Sequence, residues 1–178
     1  NTIVTNQDFN FNLKLFALIE ALKHYDKVLL LDTDIVVKGV WKESLQKLPE
    51  GVSVKWFGNK VNYLNEILNS KNLSQGSTTL YDVNQYGKKL FKLNNNNTLK
   101  FIDESCIFFN FPDTNKKLVF IDNLKKTLIE LKDYFPSRHG KKGSLEGCLL
   151  YVALLKSNID IYNKKSVFSK MFYHYGPS

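Results

Sequence analysis

Apolar residues near the start of the chain repeat with the spacing of one face of a helix. Their separations of three and four residues predict a helix over residues 12–25, capped by Asn10 or Asn12. The predicted apolar face consists of Leu15, Leu18, Ile19 and Leu22. Residues 28–37 then form a nearly continuous aliphatic run, which predicts a buried strand of the kind found in parallel sheets.

Helical and strand-like patterns alternate along the rest of the chain. Pro49 and Pro136 mark the ends of two predicted helices, because proline interrupts helical hydrogen bonding. The predicted helices cover residues 40–48, 61–68, 118–135 and 145–156, the predicted strands cover 51–57, 101–111 and 159–162, and 137–143 form a basic loop. This alternation predicts one domain of the α/β class.

The composition is that of an ordinary globular chain. Its 178 residues, 43% hydrophobic and 24% charged, suffice for one core, and no apolar run approaches the ~18 residues of a membrane span. The net charge of +8 has two possible causes. One is an AT-rich genome, whose codons favour lysine, and the other is attraction of an anionic substrate such as a nucleoside diphosphate. Scattered lysines without a nucleic-acid-binding motif argue against a nucleic-acid partner. Cys106 and Cys148 lie in apolar stretches, which predicts buried free thiols.

Two carboxylates, Asp32 and Asp34, interrupt the apolar run at residues 28–37. An unpaired buried carboxylate costs several kcal/mol, so we expect the pair at the end of the strand, in a ligand crevice with a cation. Hard oxygen donors two residues apart suit Mg²⁺ or Mn²⁺, especially an ion that also holds a phosphate. The alternative is an aspartate pair that only caps the amides of a turn.

These aspartates belong to a longer pattern that resembles the GT-A glycosyltransferases, in particular the glycogenin-like family 8. The matching segments are Lys14-Leu15, Tyr25-Asp26-Lys27-Val28, Asp32-Thr33-Asp34, Gly147, Tyr162-Asn163 and His174-Tyr175-Gly176. The resemblance implies a GT-A, Rossmann-like domain over residues 1–178, with a mixed, mostly parallel sheet flanked by helices. Because such folds place further strand–helix units before the first helix seen here, and because the first residue is Asn1 rather than Met, a fragment is one expectation.

The resemblance also implies a function and a set of site residues. The chain would transfer a sugar from a UDP-sugar to a glycan, protein or small-molecule acceptor. Asp32, Asp34 and His174 would bind Mn²⁺ or Mg²⁺, which holds the donor diphosphate. Asp32, Lys14, Thr33 and Gly176 would contact the donor. The alternative is that Lys14 is a solvated helix residue and that His174 is a surface histidine, neither with a role in the site.

The chain departs from the family pattern near its end, where residues 174–176 read His-x-Gly and the family has His-x-x-Gly, and at two earlier places. Asp103-Glu104-Ser105 stands where the family has Asn, Ser or Ala, and Gly, and Leu145-Glu146 replaces an Asp-Gln pair. Glu146 and Asp103 are therefore the candidate catalytic or sugar-contacting acids, and Glu104 is a further candidate contact to the donor or acceptor. The alternatives are a first-turn helix glutamate, favoured by the helix dipole, and a solvated acid at a strand edge.

Two other functions remain open from the sequence. Asp32-Thr33-Asp34-Ile35-Val36 also satisfies the pattern of haloacid-dehalogenase phosphohydrolases, in which the first aspartate is the nucleophile. The later acidic metal site of that class is not evident. The second alternative is an inactive GT-A-like module that binds a glycan or a partner. The sequence does not indicate an oligomeric state.

Overall fold

The structure, a computed structural model, describes residues 13–39, 41–58, 92, 100–131, 137–138, 141–142 and 146–175. The predicted helix at 61–68, the predicted caps Asn10 and Asn12, and Gly176 lie outside these ranges. So do the side chains of Cys148 and His174, whose backbones are described.

Helices and strands alternate within the described ranges. The helices are α1 (Leu13–His24), α2 (Lys42–Gln46), α3 (Thr114–Leu131), α4 (Glu146–Lys156) and α5 (Lys165–Met171). The longer strands are β1 (Lys27–Leu31), β2 (Ile35–Val37), β3 (Gly51–Val54), β6 (Cys106–Asn110), β9 (Ile161–Asn163) and β10 (Phe172–His174). The two-residue strands are β4 (Phe57–Gly58), β5 (Phe101–Ile102), β7 (Ser137–Arg138) and β8 (Lys141–Lys142). None of the helices in these ranges has the length and apolar character needed to cross a membrane.

The central sheet is mixed and has the strand order β1-β6-β3-β9. Strand β6 is antiparallel to both of its neighbours, whereas β3 and β9 are parallel. The predicted α/β architecture, a mixed sheet flanked by helices, is therefore confirmed. Three of the four strands point the same way, but two of the three pairings are antiparallel. As a result, β6 begins at the edge where the other three strands end.

Side chains from the sheet divide between two hydrophobic clusters because successive residues of a strand point to opposite faces. Helices α1, α3 and α4 cover one face, and the cluster there includes Val52, Val54, Ile107, Phe109 and Phe120. Helices α2 and α5 and strand β10 cover the other, where the cluster includes Leu45, Cys106, Phe108, Phe168 and Phe172. Both layers are thus held mainly by apolar burial.

The first predicted helix is confirmed, but the strand after it was predicted wrongly in burial, pairing and continuity. Strand β1 is only partly buried and pairs with the antiparallel β6 at the edge of the central sheet. Helix α1 buries all four residues of its predicted apolar face. The aliphatic run at 28–37, however, is two strands, because a turn closes with a hydrogen bond from Ile35 N–H to the carbonyl oxygen of Asp32, 3.2 Å between N and O. Strand β1 stays in the central sheet, and β2 leaves it to pair with β10.

Several later predictions were wrong in detail. The strands predicted over 51–57 and 101–111 are each two strands, and β4 and β5 form a separate two-stranded sheet. Helix α3 begins at Thr114 rather than 118, because the Asp113 carboxylate accepts hydrogen bonds from the N–H groups of Asn115 and Lys116, at 2.8 and 3.2 Å. The predicted basic loop at 137–143 contains the antiparallel pair β7–β8. The hydrophobic periodicity of α3 does not include its polar first turn, which explains the late predicted start.

Gly51 supplies a test of this packing. Its φ is +108°, and a Cβ there would lie 2.7 Å from the carbonyl oxygen of Asp160. Gly39 also has a positive φ, +59°, but a Cβ there would meet nothing within 4 Å. We expect Gly39→Ala to lower the free energy of unfolding by about 1 kcal/mol and Gly51→Ala by about 2–3 kcal/mol, because only the second adds a backbone clash. Urea unfolding measures both values, and equal losses would contradict the close approach of β3 to residue 160.

Candidate functional site

Asp32, Thr33 and Asp34 lie directly after β1, at the edge of the sheet where β3 and β9 also end. Asp32 N–H donates to the carbonyl oxygen of Ser105, 3.0 Å between N and O. On the other side of the turn, Tyr175 N–H donates to the carbonyl oxygen of Asp34 at 2.7 Å. Backbone hydrogen bonds therefore join three segments that are distant in sequence at one edge.

The second of these contacts extends the β2–β10 ribbon. His174 pairs with Ile35 in the antiparallel register, so the backbone of His174 lies beside that of Asp34. The two segments that the sequence analysis proposed as a joint metal site are thus neighbours in the fold. The imidazole of His174 and all of Gly176 fall outside the described part of the chain.

Lys14 reaches this edge from the first turn of α1. Its ammonium forms an ion pair with the Asp32 carboxylate and donates to the carbonyl oxygen of Glu104. The Lys14 side chain is 17% exposed and that of Asp32 is 34% exposed, so the pair is partly shielded from water. Lys14 is therefore not a solvated helix residue, and it neutralises one of the two aspartates.

Glu104 and Glu146 add two more acids to the same place. Burial raises the pKa of Glu104 to about 7. The charges of Asp103 and Asp32 also raise this pKa, whereas the charge of Lys14 lowers it. Burial likewise raises the pKa of Glu146 to about 7, with Lys14 opposing and Glu104 and Asp32 adding to the rise. Both glutamates are thus within electrostatic range of Lys14 and Asp32. Glu146 is also within range of Glu104. We call Asp32, Glu104, Glu146 and Lys14 the acid cluster.

Asp103 borders the acid cluster but has a local structural contact. Its carboxylate accepts the N–H of Ser105, 3.0 Å away, and its own N–H donates to the carbonyl oxygen of Trp56 at 2.9 Å. These bonds shape the turn between β5 and β6 and tie it to the end of β3. Of the two candidate catalytic acids, Glu146 therefore lies in the cluster, while Asp103 stabilises its turn.

Ser105 is a site residue that the sequence analysis did not single out. It is 8% exposed, and its hydroxyl oxygen has no hydrogen-bond partner among the described residues. The alternation of β1 and β6, continued by one residue, places Ser105 with Asp32 on the face covered by α1 and α4. A buried hydroxyl without a partner is costly, so it is suited to a ligand. Only the strand register could have revealed it.

The described side chains do not by themselves form a metal cage. Within the described ranges, no group of three or more histidine, cysteine, aspartate and glutamate residues is arranged to hold a metal ion. The donor types of the predicted site nevertheless suit Mn²⁺ or Mg²⁺.

Two other features of the described chain are less suited to chemistry. Cys106 is a buried free thiol, as predicted, and burial raises its pKa to about 12, so it is protonated at neutral pH. A cleft of about 240 Å³ lies at the opposite edge of the sheet, lined by residues that include Gly51, Phe111 and Asp160. This cleft is remote from the acid cluster.

Comparisons with known proteins do not identify a family. No protein-family model, no curated protein and no solved structure matches this chain.

The acid cluster predicts an unusual dependence of stability on pH. Between pH 4.5 and about 7 the folded chain retains protons on Glu104 and Glu146 that the unfolded chain has lost. Folding stability contributed by these groups is therefore greatest at low pH, falls as the pH rises through this interval, and is constant above it.

Glu104→Gln and Glu146→Gln remove this contribution because glutamine resembles the protonated acid. We expect each variant to gain about 1–2 kcal/mol relative to the unmodified chain between pH 5 and pH 8, a figure reduced for partial exposure. Urea unfolding across this pH range measures the difference. Glu43→Gln, at an exposed first-turn position of α2, is the control and should change little. Parallel pH profiles for all four proteins would contradict the electrostatic description of the cluster.

Proposed function

We propose that this chain is a metal-dependent glycosyltransferase with a GT-A-like fold, which transfers a sugar from a UDP-sugar to an acceptor. The observation that carries the proposal is the position of the Asp32–Asp34 turn. It follows the partly buried strand β1 at the carboxyl edge of the sheet and is bonded by its backbone both to Ser105 and to the segment that contains His174. Ligands bind at this edge in open α/β sheets.

Asp32, Asp34 and His174 would hold Mn²⁺ or Mg²⁺, since carboxylate oxygens and a neutral imidazole are acceptable ligands for these ions. When bound, the ion neutralises the charge that develops on the UDP leaving group. The orphaned Ser105 hydroxyl, in a residue whose backbone is bonded to Asp32, fits a site that receives a polar ligand.

The remaining residues have roles that follow from their charge. Lys14 supplies an ammonium next to Asp32, and a lysine binds phosphate as a compact point charge. Thr33 is exposed in the same turn and, with Gly176, completes the donor-binding set that the resemblance implies. Glu146 and Glu104, with pKa values of about 7, can accept a proton or a hydrogen bond from a sugar hydroxyl near neutral pH.

Donor binding should appear as metal-dependent stabilisation. A ligand at about a hundredfold its dissociation constant stabilises the folded state by roughly 2.7 kcal/mol. We expect one UDP-sugar to raise the unfolding temperature with Mn²⁺ present and to have little effect with EDTA. Thermal unfolding in a panel of nucleotide sugars measures this, and ADP-glucose serves as a base-mismatched control. Equal shifts with and without the metal would contradict the metal-bridged donor site.

Turnover should depend on the second aspartate of the turn. We expect Mn²⁺-dependent release of UDP from the donor, and a loss of at least about 100-fold in Asp34→Ala, since a metal ligand is removed. Asp122→Asn, an exposed acid on α3, is the control and should retain full activity. Retained turnover in Asp34→Ala would remove the metal assignment.

The same assays separate the alternatives. Phosphate release from a simple phosphomonoester would favour a phosphohydrolase with Asp32 as nucleophile. Metal-dependent UDP-sugar binding without turnover would favour an inactive binding module.

A further inference from the structure

The β2–β10 ribbon presents an exposed aromatic surface next to the proposed donor site. Val36 pairs with Tyr173 across the ribbon, and the two side chains are 49% and 51% exposed. Tyr175, two residues after Tyr173, is 74% exposed. We call Val36, Tyr173 and Tyr175 the tyrosine platform. The neighbouring Phe172 is buried against the sheet, so the platform forms the outer face of the ribbon.

Two contacts hold the platform in place. The Lys38 ammonium lies 5.0 Å from the ring centroid of Tyr173, within the range of a cation–π interaction. The Tyr175 N–H donates to the carbonyl oxygen of Asp34 at 2.7 Å. The platform is therefore continuous with the turn that carries both aspartates, and a molecule resting on it has one end at that turn.

The size of the platform favours a small ligand over a protein. Each strand of the ribbon has three residues, so the ribbon is roughly 10 Å long and about 10 Å wide including both strands. Its outer face thus offers on the order of 100 Å², whereas a stable protein interface buries about 800 Å² on each partner.

The chemistry of the platform fits a sugar. A pyranose ring has an apolar C–H face, which carries slight positive charge, and a rim of hydroxyl groups. The electron-rich face of a tyrosine ring attracts the C–H face of the sugar. The phenol hydroxyls and the Lys38 ammonium can form hydrogen bonds with the sugar hydroxyls. We propose that the tyrosine platform binds a carbohydrate acceptor with one end at the Asp32–Asp34 turn. This inference rests on the proposed function, which leaves the acceptor class open.

The test measures oligosaccharide binding and donor binding separately. Isothermal titration calorimetry of the full chain uses neutral tri- and tetrasaccharides of glucose, galactose and N-acetylglucosamine, without a nucleotide sugar. We expect at least one oligosaccharide to bind, and Tyr173→Ala and Tyr175→Ala each to weaken that binding about tenfold or more. Tyr25→Ala is the matched control, since Tyr25 is 65% exposed but lies at the far end of β1. Stabilisation by UDP and Mn²⁺ should be unchanged in all three variants.

Three results would overturn the inference. One is the absence of binding to any oligosaccharide in the panel. The second is weaker UDP binding in Tyr173→Ala or Tyr175→Ala, which would mean that the tyrosines stack on the uracil ring. The third is a shift from dimer to monomer in these variants by analytical ultracentrifugation, which would mean that a second copy covers the platform. Tyrosine-dependent oligosaccharide binding supports the platform even if UDP does not bind, whereas a missing UDP response counts only against the proposed function.

Discussion

The hydrogen bond from Asp32 N–H to the carbonyl oxygen of Ser105 is the contact on which the candidate site depends. It continues the β1–β6 register one residue beyond the strands and sets the turn at 103–105 opposite the turn at 32–34. Because β6 is antiparallel to β1 and β3, its first residues lie where those strands end. A parallel strand in the same position would place Glu104 at the opposite edge of the sheet. The antiparallel insertion of β6 is therefore what assembles the acid cluster.

Charge imposes the second constraint at this edge. Asp32, Glu104 and Glu146 share the nearby cation Lys14, and partial burial deprives them of much of their hydration. The glutamates therefore retain protons near neutral pH. The protonated acids can still form hydrogen bonds and avoid the desolvation free energy of a buried carboxylate. A group whose pKa is close to the working pH exchanges protons readily. The burial that weakens folding at high pH thus also prepares these two acids for proton transfer.

Local patterns predicted the elements of this fold better than their arrangement. Four apolar residues at helical spacing were enough for α1, because burial of one face decides a helix. The direction of β6 was not predictable, since the alternation of side chains along a strand is the same in either direction. The Asp32–Asp34 turn was expected from the cost of burying two carboxylates. Ser105 gained importance only from the register, which brings a distant segment against Asp32.

The break after β1 has a further consequence for the whole edge. Once the turn at 32–34 ends the pairing with β6, the residues that follow need another partner for their backbone groups, and β10 supplies it. The ribbon then packs Ile35 and Phe172 against the sheet, with Phe172 buried, and leaves Tyr173 outside. One pair of polar residues in an aliphatic run therefore produces both the candidate metal-binding turn and the adjoining aromatic surface. A substitution that let the strand continue past Asp32 would disturb both together, which is a reason for the two features to occur side by side.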